Sequence, residues 1–361
     1  MSLAERLARQ IAAEGPITVA QYMTACLHDP RDGYYATRPR LGAEDGDFLT
    51  APLVSQMFGE LVGLWAVETW RRMGRPAPFR LVELGPGDGT LMADALRAAL
   101  LEPAFLAAAE LWLVEPSPPL TAAQQDRLAA APLKPRWTAR LGEVPGGAPM
   151  ILIANEVLDC LAARQFVRTA DGWAERRVGL DDEGRLAFGL APAPRGFVPP
   201  PGLDAVAEGS VVEVSTAQEA MAEDVALRVV EDGGCALFID YGRDRPEPGD
   251  TLQALVAHRK VPPLEAPGEA DITMHADFPA VAAAARSQGA QTTPILPQAV
   301  FLAALGIEAR AEALARARPD RADTLARQFD RLTAPTAMGT LFKAMAIHAP
   351  GLAVPGFEAA P

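Results

Sequence analysis

A glycine-rich turn that could hold a cofactor occupies residues 82–90. The segment VELGPGDGT leaves a short apolar run and enters the amphipathic helical pattern LMADALRAAL. Glycine lets the backbone turn sharply and approach a ligand closely, and open α/β sheets bind ligands at this edge. We therefore predict that Gly85, Pro86, Gly87 and Gly89 form a cofactor crevice, with a purely structural turn as the alternative.

The acidic residue Glu83 distinguishes this turn from a dinucleotide-binding one. Dinucleotide-binding turns have the spacing GxGxxG, whereas the spacing here is GxGxG. A carboxylate beside the turn suits the amino group of S-adenosylmethionine and would repel a pyrophosphate. Spacing and charge together favour S-adenosylmethionine as the cofactor, and methyl transfer over hydride transfer.

Two further predicted strands end in polar side chains that could serve the same crevice. LVEP (113–116) places Glu115 at a strand tip, where it can accept both ribose hydroxyl protons. IANEVLD (153–159) adds Asn155, Glu156 and Asp159. An amide oxygen can accept a hydrogen bond from an amine, and carboxylates can orient a cationic acceptor. Helix capping is the alternative for Glu115 and for one of the other three.

The elements that must position these residues are short apolar runs separated by helical patterns. The runs are FRLVEL (79–84), LWLVEP (111–116), MILIANE (150–156) and CALFIDY (235–241). Such runs predict a parallel sheet covered by helices on both faces. The predicted fold class is therefore α/β, with a Rossmann-like sheet and a long apolar helix from Val54 to Met73 before it.

The rest of the chain divides around this core. We predict an N-terminal helical segment with a cofactor-closing loop over residues 1–78, and the core over 79–160 and 211–250. Residues 161–210 read as an antiparallel insertion and 251–297 as a loop insertion with little regular structure. A C-terminal helical region and closing strand are predicted over 298–361.

Composition limits the partners. Among 361 residues, 33 are basic and 46 acidic, giving a formal net charge of −13, which disfavours nucleic acid. An acidic surface suits a cationic protein segment, although solubility explains it as well.

The N-terminal sequence MSLAERLARQIAAEG has no apolar stretch suited to a signal peptide or membrane span, which favours a bacterial cytoplasmic location. The three cysteines form no CxxC pair and are predicted to be small buried side chains.

A series of ordered blocks resembles the MidA family of class I methyltransferases over nearly the whole chain. The blocks are GPIT (15–18), YM (22–23), HDPRDGYY (28–35), GDFLTAP (46–52), FGEL (58–61), ELGPGDGTLM (83–92), ANE (154–156), RQF (164–166), IDYG (239–242), GDTLQAL (249–255) with His258, GEADIT (268–273), DF (277–278) and MGTLFKAM (338–345). The resemblance implies protein arginine methylation with S-adenosylmethionine, on a partner protein such as a subunit of respiratory complex I.

The resemblance also implies roles for single residues. The GDFLTAP block would close over the cofactor, with Asp47, Phe48 and Thr50 near it. The segment after Asp159 departs from the family pattern, because CLA (160–162) stands where Ala-Leu-Pro is usual. This departure leaves cofactor binding intact and bears on the acceptor.

For catalysis, the hypothesis is that Glu156, with Asp159 or Asp240, grips an arginine guanidinium through charge-assisted hydrogen bonds. Tyr241, His258 and His275 are predicted to bind substrate. Two histidines without a recognised ligand spacing predict no metal site.

Two other classes of function stay open at this stage. A small-molecule methyltransferase would share every cofactor feature, and a noncatalytic assembly factor would use only the insertions. A homo-oligomer is compatible with the sequence.

Overall fold

The computed structural model describes residues 1–37, 50–256 and 259–358, which form mixed helices and strands. The helices are α1 Leu3–Glu14, α2 Val19–His28, α3 Tyr34–Thr37, α4 Ala51–Val54, α5 Gln56–Arg72, α6 Thr90–Ala99, α7 Pro103–Ala108, α8 Pro118–Arg127, α9 Thr216–Glu231, α10 Phe278–Ser287, α11 Gln298–Ala304, α12 Ile307–Ala317, α13 Ala322–Thr333 and α14 Met338–Leu341.

Seventeen strands accompany these helices in the described part of the chain. They are β1 Ile17–Thr18, β2 Phe79–Leu84, β3 Ala109–Val114, β4 Arg136–Thr138, β5 Met150–Asn155, β6 Arg164–Thr169, β7 Gly172–Leu180, β8 Leu186–Pro192, β9 Val211–Val214, β10 Gly234–Arg243, β11 Gln253–Val256, β12 Arg259–Val261, β13 Asp271–Thr273, β14 Ala276–Asp277, β15 Gln291–Thr292, β16 Leu296–Pro297 and β17 Phe342–His348.

The central sheet has the order β15-β17-β10-β5-β2-β3-β4, with β14 beside β10 and β16 beside β17. Neighbours from β10 to β4 run parallel, and β17 runs antiparallel to β10. The chain passes from β2 to β3 on one side, whereas β5 pairs on the other side of β2, so a switch point opens at their carboxyl ends. This arrangement confirms the predicted Rossmann-like α/β fold.

Apolar side chains cover both faces of the central sheet, as a parallel sheet requires. Alternate residues of each strand divide between the faces, so that Leu81 and Ile151 pack with α5 and α6, whereas Val82 and Leu152 pack with α9 and α10. Side-chain caps define two of the covering helices at their N-termini. The Ser55 hydroxyl accepts a hydrogen bond from Met57 N, and that of Ser215 accepts one from Gln218 N.

The helix predicted from Val54 to Met73 divides in the structure. The short helix α4 ends at Val54, and α5 begins at Gln56, because Ser55 between them is extended and caps α5. This break matters for the site, because α4 begins directly after Thr50.

Two smaller antiparallel sheets flank the core. One contains β6, β7 and β8 of the predicted antiparallel insertion, together with β1 and β9. Strand β9 pairs there with β6, although residues 211–250 were expected to be core. The other is β12-β11-β13, so the expectation of little regular structure after residue 251 was wrong. These strands are only three or four residues long and lie between prolines and glycines. Alternation of apolar and polar residues over so few positions is too short to indicate a strand. The domain boundaries as a whole stay a prediction.

In the described residues, no helix is both long and apolar enough to cross a membrane.

Candidate cofactor and acceptor site

A cavity of about 580 Å³ lies at the carboxyl ends of the central strands. Its wall combines the ends of β2, β3, β4 and β5 with parts of α2, α3, α4 and α9. Eight of the predicted site residues line it: Thr50, Glu83, Gly85, Pro86, Gly87, Glu115, Asn155 and Glu156. Residues from separate strand ends thus meet in one place, as the sheet edge requires.

The glycine-rich turn depends on left-handed backbone at three positions. Gly85, Gly87 and Gly89 have φ values of +59°, +57° and +83°. These angles are strained for residues that carry a Cβ. Gly85 and Gly87 line the cavity, whereas Gly89 precedes α6 as its N-cap and lies off the described wall. Gly89 starts the helix, and its predicted contact with the cofactor stays a prediction.

The Glu83 carboxyl is buried in the cavity wall with only 3% of the residue exposed. Its Oε2 atom has no hydrogen-bond partner among the described residues. Burial raises the pKa of Glu83 to about 8, and the nearby carboxylates of Asp88 and Glu115 add to this effect. A buried carboxyl without a partner suits a cationic ligand, and the amino group of S-adenosylmethionine is one.

The Glu115 carboxylate is held at the tip of β3 by two hydrogen-bond donors from the protein. Its Oε1 accepts a hydrogen bond from Ser117 N (2.7 Å), and its Oε2 accepts one from Gln124 Nε2 (3.1 Å). Gln124 Nε2 also donates to Gly87 O (2.8 Å), and Trp137 Nε1 donates to Gln124 Oε1 (2.9 Å). Gln124 therefore links the glycine turn to the carboxylate predicted to bind ribose. Burial raises the pKa of Glu115 to about 7 against the opposing effect of these hydrogen bonds.

Asn155 and Glu156 form the adjoining part of the wall. Glu156 has a φ of +53°, a strained conformation for a residue with a Cβ. The Oε1 atom of Glu156 accepts hydrogen bonds from Asn155 Nδ2 (2.9 Å) and Ala51 N (3.2 Å). The other polar atom of the Asn155 side chain, Oδ1, has no partner among the described residues. Burial raises the pKa of Glu156 to about 7, and the charge of Asp159 adds to the shift.

Asp159 and Asp240 lie off the described cavity wall, and their surroundings differ. The Tyr241 hydroxyl donates a hydrogen bond to Asp159, which is 3% exposed. Asp240 accepts three backbone N–H bonds, from Leu158 (2.8 Å), Asp159 (3.2 Å) and Tyr241 (2.8 Å). Because three backbone donors take most of the acceptor positions of its carboxylate, the geometry favours a structural role for Asp240 over the predicted contact with substrate. Burial raises the pKa of both aspartates.

The predicted substrate-binding residues are not gathered on the described cavity wall. Tyr241 contacts Asp159, which lies off the described wall, and the His275 ring packs edge-on against the Tyr241 ring at 5.7 Å. Burial lowers the pKa of His275. Asp47, Phe48 and His258 lie outside the described residues. Within the described ranges, no group of three or more His, Cys, Asp or Glu side chains is arranged to hold a metal ion.

Several wall residues were not anticipated. His28 and Tyr35 come from the N-terminal segment, Leu141 follows the three-residue strand β4, and Met221 lies on α9. Cys160, expected to be an inert buried side chain, also lines the cavity. Applying the strand-end rule to β4 would have found Leu141. His28 and Tyr35 begin and end the block HDPRDGYY (28–35), which marked this segment by its resemblance to the family but assigned it no place in the site.

Together, the sheet order, the glycine turn and the two strand-end carboxylates define an α/β enzyme with a nucleoside-containing cofactor, and the hydrogen-bond acceptors present fit the amino group and ribose hydroxyls of S-adenosylmethionine. The chain belongs to the family of S-adenosyl-L-methionine-dependent methyltransferases whose sequence profile matches residues 61–296.

Similar proteins include the mitochondrial protein arginine methyltransferase NDUFAF7 of Homo sapiens, 34% identical over 94% of this chain and 81% of that protein. The NDUFAF7 homolog of Drosophila melanogaster is 36% identical over 97% of this chain and 85% of that protein. A crystal structure of a COG1565 superfamily member from Burkholderia thailandensis, bound to S-adenosyl-homocysteine, has a TM-score of 0.84 and 29% identity, covering 99% of this chain and 93% of that one. These similarities agree with the predicted family and cofactor.

Proposed function

We propose that this methyltransferase transfers the methyl group of S-adenosylmethionine to an arginine of a partner protein. The named activity of the NDUFAF7 relatives supports an arginine acceptor. A subunit of respiratory complex I is the partner that the family resemblance implies. A bacterial cytoplasmic location and a homo-oligomer stay predictions.

The cofactor would occupy the part of the cavity between β2 and β3. Glu83 would face its amino group, the backbone at Gly85 and Gly87 would lie along it, and Glu115 would bind the ribose hydroxyls. Asn155 Oδ1 is a further acceptor on the same wall. The bound cofactor supplies an electrophilic methyl group, and the protein must hold a nucleophile about 3 Å from it.

Glu156 carries the argument for a cationic acceptor. It lies on the cavity wall, in a strained backbone conformation that packing and two hydrogen bonds maintain. Strained backbone is often retained where a side chain has a functional task. A guanidinium, with a pKa above about 12, is a poor nucleophile until its charge is drawn away from the attacking nitrogen. We propose that Glu156 makes charge-assisted hydrogen bonds to the guanidinium and so localises that charge.

Asp159 and Asp240 would support Glu156 from beneath the wall. The charge of Asp159 disfavours the ionised form of Glu156 until a cation enters the site. Asp240 would hold the turn that carries both groups, through the backbone N–H groups of Leu158 and Asp159. In this proposal Asp240 and Tyr241 are positioning residues.

Labelling of cell extract would test the acceptor. Extract from a strain lacking this protein is incubated with the purified enzyme and S-adenosylmethionine tritiated on the methyl group, and labelled protein is hydrolysed to amino acids. The proposal predicts labelled methylarginine with the parent and none with Glu156→Gln. Label confined to small metabolites would favour a small-molecule acceptor. No label despite cofactor binding would favour a noncatalytic assembly role.

A further inference from the structure

Tyr35 reaches the cavity from a closely packed turn that precedes α3. Gly33 N donates a hydrogen bond to Asp29 O (2.9 Å), and a Cβ at Gly33 would lie 2.5 Å from the Asp29 backbone. Arg6 forms ion pairs with Asp29 and Asp32, both at 2.7 Å. Close backbone packing and paired charges therefore fix the place at which Tyr35 enters the site.

The backbone of Tyr35 is joined to the cofactor half of the cavity. Its carbonyl accepts a hydrogen bond from Ser117 Oγ (2.8 Å), and Ser117 N donates to Glu115 Oε1 (2.7 Å). The Tyr35 ring lies 5.6 Å from the His28 ring, and both residues line the cavity. Tyr35 is thus anchored beside the predicted ribose carboxylate through its main chain.

The phenol of Tyr35 contacts Cys160, and both residues line the cavity. The phenol hydroxyl is hydrogen-bonded to the Cys160 thiol, and Cys160 Sγ donates its own proton to Val157 O (3.1 Å). The sulfur must therefore accept the phenol proton. Burial raises the pKa of Tyr35 well above its ordinary value, and nearby Cys160, Asp271 and Asp159 reinforce the shift, so the phenol stays protonated. Its oxygen keeps lone pairs free to accept a hydrogen bond from a ligand.

We propose that the Tyr35 phenol oxygen binds the acceptor, taking an N–H of the guanidinium while Glu156 takes another. This inference rests on the proposed arginine methylation and names a residue that determines its specificity. A guanidinium offers five N–H donors in one plane and no acceptor, so it matches a wall that presents two oxygen acceptors. An ammonium group has three donors that do not lie in one plane, and it would satisfy such a wall less well.

Binding of ethylguanidine to the intact protein saturated with S-adenosylhomocysteine tests this inference, with ethylamine as the comparison ligand. The variants are Tyr35→Phe, which keeps the ring against His28, and Tyr22→Phe as a matched control. The Tyr22 hydroxyl donates to Pro263 O (2.7 Å), away from the cavity. Affinities come from calorimetry and ligand-observed NMR. Affinity for S-adenosylhomocysteine, expected within about twofold of the parent, checks that each variant is folded.

The parent and Tyr22→Phe should bind ethylguanidine alike and more tightly than ethylamine. Tyr35→Phe should bind it about 10- to 100-fold more weakly, because one hydrogen bond to a charged group is lost. Equal binding by Tyr35→Phe and the parent would overturn the role of Tyr35 and leave the proposed function standing. No binding by the parent itself would overturn the arginine site, and this inference with it.

Discussion

Cofactor affinity should depend on pH through Glu83. Burial raises the pKa of this carboxyl to about 8, so only about one-tenth of the cofactor-free protein carries the ionised form at pH 7. If the cationic cofactor binds the ionised form, deprotonation costs about 1.4 kcal/mol at pH 7. Ionisation of Glu83 should therefore contribute about a tenfold fall in the dissociation constant for S-adenosylmethionine for each pH unit gained below about pH 8, and binding should release close to one proton from this carboxyl.

Calorimetric titration from about pH 5.5 to about pH 7.5 would measure this dependence, because the ammonium of the cofactor stays largely protonated there. Buffers of different ionisation enthalpy would report the protons released. Glu83→Gln should lose one decade per pH unit from the slope, and the difference in affinity between the variant and the parent should narrow as the pH falls. Glu219→Gln, whose carboxyl lies off the described cavity wall and also has a raised pKa, should keep the parental slope. An unchanged slope in Glu83→Gln would refute the reasoning.

Three further predictions concern the turn, the buried aspartate and stability. Gly87→Val should abolish cofactor binding detected by calorimetry. Gly74→Val, at a positive φ of +83° off the described cavity wall, should cost stability but retain binding, and loss of binding in both variants would point to unfolding. Asp240→Ala leaves three N–H groups, two of them buried, without their acceptor and should lower the free energy of unfolding by about 1–3 kcal/mol in a denaturant titration. Unchanged stability with lost methyl transfer would restore a catalytic role. Because Glu83 and Glu115 have raised pKa values in the folded protein, these two carboxyls hold more protons in the folded state than in the unfolded state between about pH 4.5 and about pH 8. The melting temperature without cofactor should therefore fall as pH rises through this window, and a rise would contradict the burial argument.

The sequence alone predicted the parts of the site that lie at strand ends. Glu83, Glu115 and Asn155 each end or follow a buried apolar run, and parallel strands bring their carboxyl ends to one edge. The glycine-rich turn after β2 was also recognisable from the sequence. Three of its five positions have a positive φ, a conformation that residues other than glycine rarely adopt. These rules are local, so one chain suffices to apply them.

Other features of the site depend on tertiary packing, which the periodicity of a short sequence segment does not reveal. Tyr35 and His28 come some 50 residues before the glycine turn and reach it only because the N-terminal segment packs over the sheet edge. Asp240 looked catalytic by its strand-end position, and only its three backbone donors indicate the structural role. Sequence position places a side chain at an edge, but its hydrogen-bond partners decide what it can do there.

The antiparallel strand β17 has a consequence for synthesis of the protein. It pairs with β10 from Cys235↔His348 to Tyr241↔Phe342, and about one hundred residues separate the two strands in the chain. At ribosomal rates of about 5–20 residues per second, β10 waits about 5–20 s for this neighbour. During that time the apolar edge at Leu237, Phe238 and Ile239 is open to other strands. A nascent chain should therefore need protection by a chaperone at this edge, and a chain that stalls before residue 342 should be directed to aggregation or proteolysis rather than to the cofactor-bound state.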